Sequence, residues 1–174
     1  KSANQDFVLA QHNLGMMYYD GKGVRKDYEQ AEKWFRRSAE GGDALAPFKL
    51  GVMYLQGRGV LQDYGQAVKW FRQSAEQGDA PAQYMLGDMY SKGKGITRNY
   101  EKAEKWFRRS AEQGDALAQF ELAMAYGLGR GVTKNIVFAH MWFSISGANG
   151  TKLGASNMLK AEKLMTPAQI DEAK

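Results

Sequence analysis

One period of 36 residues runs through this chain and restricts it to folds made from copies of a small unit. Trp34, Trp70, Trp106 and Trp142 mark the period, as do Tyr18, Tyr54, Tyr90 and Tyr126. Gly21-x-Gly23-Val24 returns as Gly57-x-Gly59-Val60, Gly93-x-Gly95-Ile96 and Gly129-x-Gly131-Val132, with no insertion between copies. A repeat of this length is the mark of a solenoid rather than a closed globule, and it places function on a surface shared among copies. The copies fall at about 7–42, 43–78, 79–114 and 115–150, within a single domain spanning 1–174.

The pattern inside one copy is helical throughout. In residues 43–78, Asp43 is placed to cap a first helix running to about Gln56. Ala46, Leu50, Met53 and Tyr54 form its apolar face at helical spacing. Gly51, like Gly15 and Gly87, leaves room for a neighbouring helix. Gly57 ends the helix in a left-handed conformation and Gly59 offers a second permissive position. With no preceding strand and no phosphate-loop lysine, Gly-x-Gly here is turn chemistry. Asp63 with Gln66, and Asp27 with Gln30, have the spacing of a capping box at a second helix carrying Ala67, Trp70, Phe71 and Ala75. Gly78 ends that helix and Asp79 caps the next, so consecutive helices pack as antiparallel hairpins. Pro47 fits this scheme poorly, because it falls one turn inside a helix capped by Asp43. Residues 151–174 read as C-terminal capping helices, with Thr166-Pro167-Ala168-Gln169 a strong helix start.

The string Ala46, Leu50-Gly51, Tyr54, Gly57-Arg58-Gly59-Val60, Asp63-Tyr64, Ala67, Trp70-Phe71 and Ala75-Glu76-Gln77-Gly78-Asp79 resembles the Sel1-like repeats, a branch of the tetratricopeptide-like solenoids. The resemblance covers about residues 7–150. It implies an all-α, right-handed α/α superhelical solenoid whose first helices line a concave groove. It also implies a bacterial adaptor or scaffold that binds a protein or peptide, with no catalytic set and no cofactor. The periplasm or secretion is the location it favours, and residence in the cytoplasm stays open. Some relatives carry a disulfide in each repeat; this chain has no cysteine, which removes disulfides, thiolate nucleophiles and cysteine-held metals together.

Positions that face away from the Ala/Leu/Tyr stripe of the first helices, and that vary between copies, are the candidates for recognition. They include Asn13, Lys49 and Glu121 at one place in the frame, Met16, Val52, Asp88 and Met124 at another, and Tyr84 at a third. Tyr84 shares its position with His12, Phe48 and Phe120, which face either a ligand or the core. Tyr19 and Leu55 are ambiguous in the same way.

The second helices carry Lys33, Arg36, Arg37, Lys69, Arg72, Lys105, Arg108 and Arg109, and the formal charge is +5. A track of basic residues suits a nucleic acid or an anionic surface, which is the secondary reading. Glu32 and Glu104 lie four residues before Arg36 and Arg108 and dilute that field, as solvated helix pairs. His12 and His140 lie far apart, no histidine pair has metal-ligand spacing, and Ser38, Ser74 and Ser110 recur in frame as structural positions. No enzyme, metal, small-molecule substrate or membrane span is expected.

Overall fold

A computed structural model describes residues 2–172, with side chains from Asp6 onward. The protein is all-α: among the described residues there are ten helices and no strand. They are α1 (Ser2–Asp20), α2 (Tyr28–Glu40), α3 (Ala46–Gln56), α4 (Tyr64–Glu76), α5 (Ala80–Lys92), α6 (Tyr100–Glu112), α7 (Ala116–Leu128), α8 (Ile136–Ala148), α9 (Lys152–Glu162) and α10 (Pro167–Glu172). Odd- and even-numbered helices alternate as the first and second arms of hairpins. The chain divides into two compact units, Lys1–Ala82 with Lys94–Ile96, and Gln83–Gly93 with Thr97–Lys174.

In the first unit, Gly15 and Gly51 are contact points inside their hairpins. A Cβ on Gly51 would lie 2.6 Å from Phe71 Cδ1, and one on Gly15 would lie 2.8 Å from Phe35 Cδ1. Both phenylalanines are fully buried. Ala31, Phe35, Leu50, Met53 and Trp70 form one core cluster.

The helix after Asp43 begins later than the sequence suggests. Asp43 accepts hydrogen bonds from the backbone N–H groups of Leu45 at 3.0 Å and Ala46 at 3.1 Å, from just outside the helix. Helix α3 therefore starts at Ala46, and Pro47 falls in its first turn, where a missing N–H costs nothing. Asp43 also receives Ser38 Oγ at 2.8 Å and His12 Nδ1 at 2.6 Å. Burial pushes the Asp43 carboxyl up, but the Leu45 N–H, Ser38 and His12 outweigh it and hold the group below the usual carboxylate value.

The capping boxes of the second helices are half formed. Asp63 Oδ1 accepts from Gln66 N–H at 2.9 Å, but the N–H of Asp63 itself goes to the carbonyl of Tyr54 at 3.0 Å. Asp27 does the same with Gln30 and Tyr18. That cross-hairpin bond closes the Gly-x-Gly turn, and it is available because the tyrosine carbonyl lies in the last turn of the first helix. The reciprocal box does form at α10, where Thr166 and Gln169 bond each other in both directions.

The glutamate–arginine pairs are structural rather than solvated. Arg36 Nε donates to Glu32 Oε1 at 3.0 Å, and its Nη2 reaches Tyr54 Oη at 2.8 Å. In the second unit Glu104, which is buried, pairs with Arg108, and Arg108 Nη2 donates to Tyr126 Oη at 2.6 Å. One copy later the polarity changes. His140 stands at the glutamate position and Glu162 at the tyrosine position, and His140 Nε2 meets Glu162 Oε1 at 3.0 Å. In that copy α9 lies directly on α8, because Gly147 and Gly154 remove both side chains; a Cβ on Gly154 would lie 2.6 Å from Gly147 N. Helix α10 buries none of its residues.

Candidate functional site

The eight positions singled out in the sequence separate by unit. In the first unit Asn13 is exposed, and Met16, Lys49 and Val52 are half-buried. Met16 packs against the core cluster, so part of it is structural. The second unit holds Tyr84, Asp88, Glu121 and Met124, all half-buried.

Three of those four meet in one pocket of about 200 Å³. Its walls are α5, which contributes Asp88, Ser91 and Lys92, and α7, which contributes Glu121 and Met124. Its floor is α6, through Tyr100 and Phe107. Asp88 holds Lys92 at 2.6 Å across one helical turn. Glu121 has no hydrogen-bond partner among the described residues. Burial pushes its carboxyl up, and the nearby Asp88 adds to this; Lys92 and Arg130 oppose them without cancelling them. Burial also pushes the Tyr84 hydroxyl up to about 12, aided by Asp88, Glu121 and Asp115. Tyr84 itself stands outside the pocket lining. The pocket thus has an apolar floor and three carboxylates, of which Asp88 and Glu104 are paired with Lys92 and Arg108 and Glu121 has no hydrogen-bond partner among the described residues, with Arg130 also in the lining.

A second pocket, of about 180 Å³, lies between α7 and α9 with α8 as its floor. It repeats the first in the frame of the sequence: Ser91, Tyr100, Phe107, Glu121 and Ala125 are followed 36 residues on by Gly127, Ile136, Phe143, Asn157 and Ala161. The chemistry differs. Met124, Leu128, Ile136 and Leu164 make it apolar, and Lys160 is its one charged lining residue.

The sequence reading missed what opens these recesses. The frame position occupied by Ser91 and Gly127 holds Tyr19 in the first copy and Leu55 in the second. The Tyr19 ring packs edge-on to Tyr28 at 5.2 Å and to Phe35 at 6.3 Å, the counterparts of the Tyr100 and Phe107 floor. Arg58 Nη1 donates to Tyr19 Oη at 2.7 Å and closes over it. In the second unit a serine and a glycine leave that volume open. The decline in size from Tyr19 to Gly127 is visible in the sequence once the copies are aligned.

The aromatic position resolves toward packing. His12, Phe48, Tyr84 and Phe120 meet Phe35, Phe71, Phe107 and Phe143 at 5.6, 5.7, 6.0 and 5.5 Å between ring centroids. Each contact is made within one hairpin, between its first and second helix. The basic track is broken as well. Arg36 is tied to half-buried Glu32 and Tyr54 and Arg108 to buried Glu104 and half-buried Tyr126, while Arg37 and Arg109 lie over Trp34 and Trp106 at 4.9 and 4.6 Å. Ser38, Ser74 and Ser146 bond carbonyls near the start of their own copy, at Val8, Ala44 and Ala116. His140 is buried, with Nδ1 lacking a partner. Among the described residues no group of three His, Cys, Asp or Glu is placed to hold a metal ion, and no helix is long and apolar enough to cross a membrane.

The Sel1 repeat pattern matches residues 8–43, 44–79, 80–115 and 116–151. The chain belongs to the Sel1 repeat family. Members of this family are non-catalytic scaffolds, and their repeat surface mediates protein–protein interaction. Among solved structures, a protective antigen present in uropathogenic Escherichia coli strains, displaying an SLR fold, is 39% identical with a TM-score of 0.86 over 90% of this chain. A Sel1 repeat protein from Oxalobacter formigenes is 34% identical, with a TM-score of 0.81 over 88% of this chain. The chain spans 33% and 63% of those two proteins' lengths. The cysteine-rich protein B of Helicobacter pylori shares the fold, at 18% identity and a TM-score of 0.60; 78% of this chain is covered, and 98% of that one. No curated protein matches the chain.

Proposed function

We propose that this Sel1 chain is a non-enzymatic binding scaffold that takes a protein or peptide segment on the face of its first helices. The observation that carries this reading is Glu121. It is a half-buried carboxylate with no hydrogen-bond partner among the described residues, held beside Asp88 in a recess that the fold leaves open. Desolvating a carboxylate without a partner is costly, and an incoming donor recovers that cost. In the first unit Lys49 and Val52 occupy corresponding frame positions and support the same use of the face, with Asn13 and Met16 beside them in sequence register. In the second unit Met124 lines the same recess as Glu121, and Tyr84 is half-buried on the same helix as Asp88. Relationship to a bacterial protective antigen supports a place outside the cytoplasm.

The basic second-helix residues give less support to a nucleic-acid partner, because Arg36 and Arg108 are already neutralised within the fold. The test is capture from the envelope fraction of the cell that makes the protein, using wild type and the triple variant Lys49→Glu, Asp88→Lys, Glu121→Lys. Loss of specific partners by the variant, with its circular dichroism intact, is the expected result. Equal capture by both proteins moves the site to another face.

A further inference from the structure

The two pockets of the second unit differ in one respect that bears on the partner: the first is acidic and the second is apolar, although they occupy the same place in successive copies. Resting on the binding-scaffold reading above, we infer that the pair forms a two-point reader for a partner segment with a basic side chain and an apolar side chain one repeat step apart.

The first recess fits a lysine or arginine. Its polar end carries Glu121, which has no hydrogen-bond partner, and Asp88; its floor of Tyr100 and Phe107 is apolar and aromatic. A long aliphatic stem with a charged tip matches that division, the stem covering apolar surface while the tip reaches the carboxylates. Two basic side chains also sit at the rim. Lys92 is engaged by Asp88 at 2.6 Å, and Arg130 lies over the Tyr100 ring at 5.6 Å. Neither donates a hydrogen bond to Glu121. The second recess offers Met124, Leu128, Ile136 and Leu164, two of which are unusually exposed for leucines, at 51% and 76%. It suits a leucine, isoleucine, methionine or phenylalanine. Met124 lines both recesses and forms the wall between them.

Both recesses open beside α7 and share Met124, so the two partner side chains enter on either side of one helix.

The first unit supplies a control built into the same frame. Tyr19 and Leu55 stand where Ser91 and Gly127 stand, so both larger residues are already compatible with the helix at this position. At Gly127 a Cβ meets only Ala139 Cβ at 3.6 Å, an ordinary contact. Ser91→Tyr should therefore fill the acidic recess, and Gly127→Leu the apolar one, with the fold retained.

The experiment selects binders from a random dodecapeptide library on the immobilised full chain. Their affinities are then measured by fluorescence anisotropy for wild type, Ser91→Tyr, Gly127→Leu and Glu121→Gln. Selected peptides should be enriched in lysine or arginine held at one constant separation from an apolar residue. Each variant should weaken them by about tenfold or more. Replacing the peptide's basic residue by glutamate should abolish binding, and replacing its apolar residue by alanine should remove the sensitivity to Gly127→Leu. Binders that lack the basic–apolar pair, or that ignore all three variants but lose affinity with Lys49→Glu, overturn the two-point reader and leave the scaffold reading standing. An absence of binders, or binders insensitive to every first-helix substitution, counts against both. Concentration-dependent self-association abolished by Ser91→Tyr would make a second copy of the chain the occupant and would also overturn the inference.

Discussion

The Gly-x-Gly turn contains two glycines whose backbone conformations are nearly the same and whose surroundings are not. Gly57 has φ 68° and Gly59 has φ 70°. An added side chain pays the left-handed penalty at either position, roughly 1–2 kcal/mol. At Gly57 a Cβ would find its nearest neighbour, Gln62 Cβ, at 3.4 Å, so that penalty is nearly the whole cost. At Gly59 a Cβ would lie 2.4 Å from the carbonyl carbon of Tyr28 and 2.5 Å from its oxygen. These are backbone atoms at the first residue of α2, and relieving the clash means separating two hairpins. Overpacking of this kind adds about 1–3 kcal/mol. Gly59→Ala should therefore cost about 2–5 kcal/mol, and Gly57→Ala about 1–2 kcal/mol. Gly23 provides an internal check. Its φ is 75°, but a Cβ would meet only the flexible end of Met17 at 3.3 Å, so Gly23→Ala should behave like Gly57→Ala. Urea denaturation followed by far-UV circular dichroism measures all three. Equal losses at positions 57 and 59 would refute the argument that the second glycine is a backbone-to-backbone contact between copies.

Four further outcomes are expected. Trp70→Ala should cost about 3–5 kcal/mol, whereas Trp70→Phe should cost markedly less, because the buried Nε1–H of Trp70 has no acceptor to lose; denaturant midpoints of the two variants decide this. Arg108→Met leaves the buried Glu104 without its counter-ion and should cost about 3–5 kcal/mol, while Arg109→Met, at an exposed position, should change the midpoint little. Because the Asp43 carboxyl is held below its ordinary value in the folded state, its contribution is complete above the unfolded pKa and is lost as pH falls through the folded one. Asp43→Asn should accordingly flatten the acid limb of a stability-against-pH curve. Glu121 has the opposite sign: its carboxyl is raised, so the folded state loses stability as pH rises from the unfolded value through the folded one, and Glu121→Gln should be at least as stable as wild type at neutral pH, as read from thermal melts.

The architecture was legible in the sequence because the residues that shape each hairpin act at short range. Gly51, Phe71, Gly57 and Asp63 act within one hairpin, and their spacing alone places them. The start of α3 was less accessible, since Asp43 caps from outside the helix and its partners His12 and Ser38 come from the preceding copy. The depth of burial of Glu104 and the link from Arg108 to Tyr126 were hidden for a similar reason. An i,i+4 charge pair looks the same in sequence whether it faces water or the next hairpin. Of the candidate face, Asp88, Glu121 and Met124 were found by their variation between copies. The recess that joins them was not, because it depends on the missing bulk of Ser91 rather than on any residue that attracts attention.

That last position carries a consequence for how such arrays diversify. Tyrosine, leucine, serine and glycine all occupy it in one chain, at the same place in the first helix. A change there deepens or plugs a socket while the glycine–phenylalanine pairs and the turn glycines stay as they are. On the binding reading proposed above, selectivity and foldability are encoded by separate columns of the same repeat, and a duplicated copy can acquire a new taste through one codon.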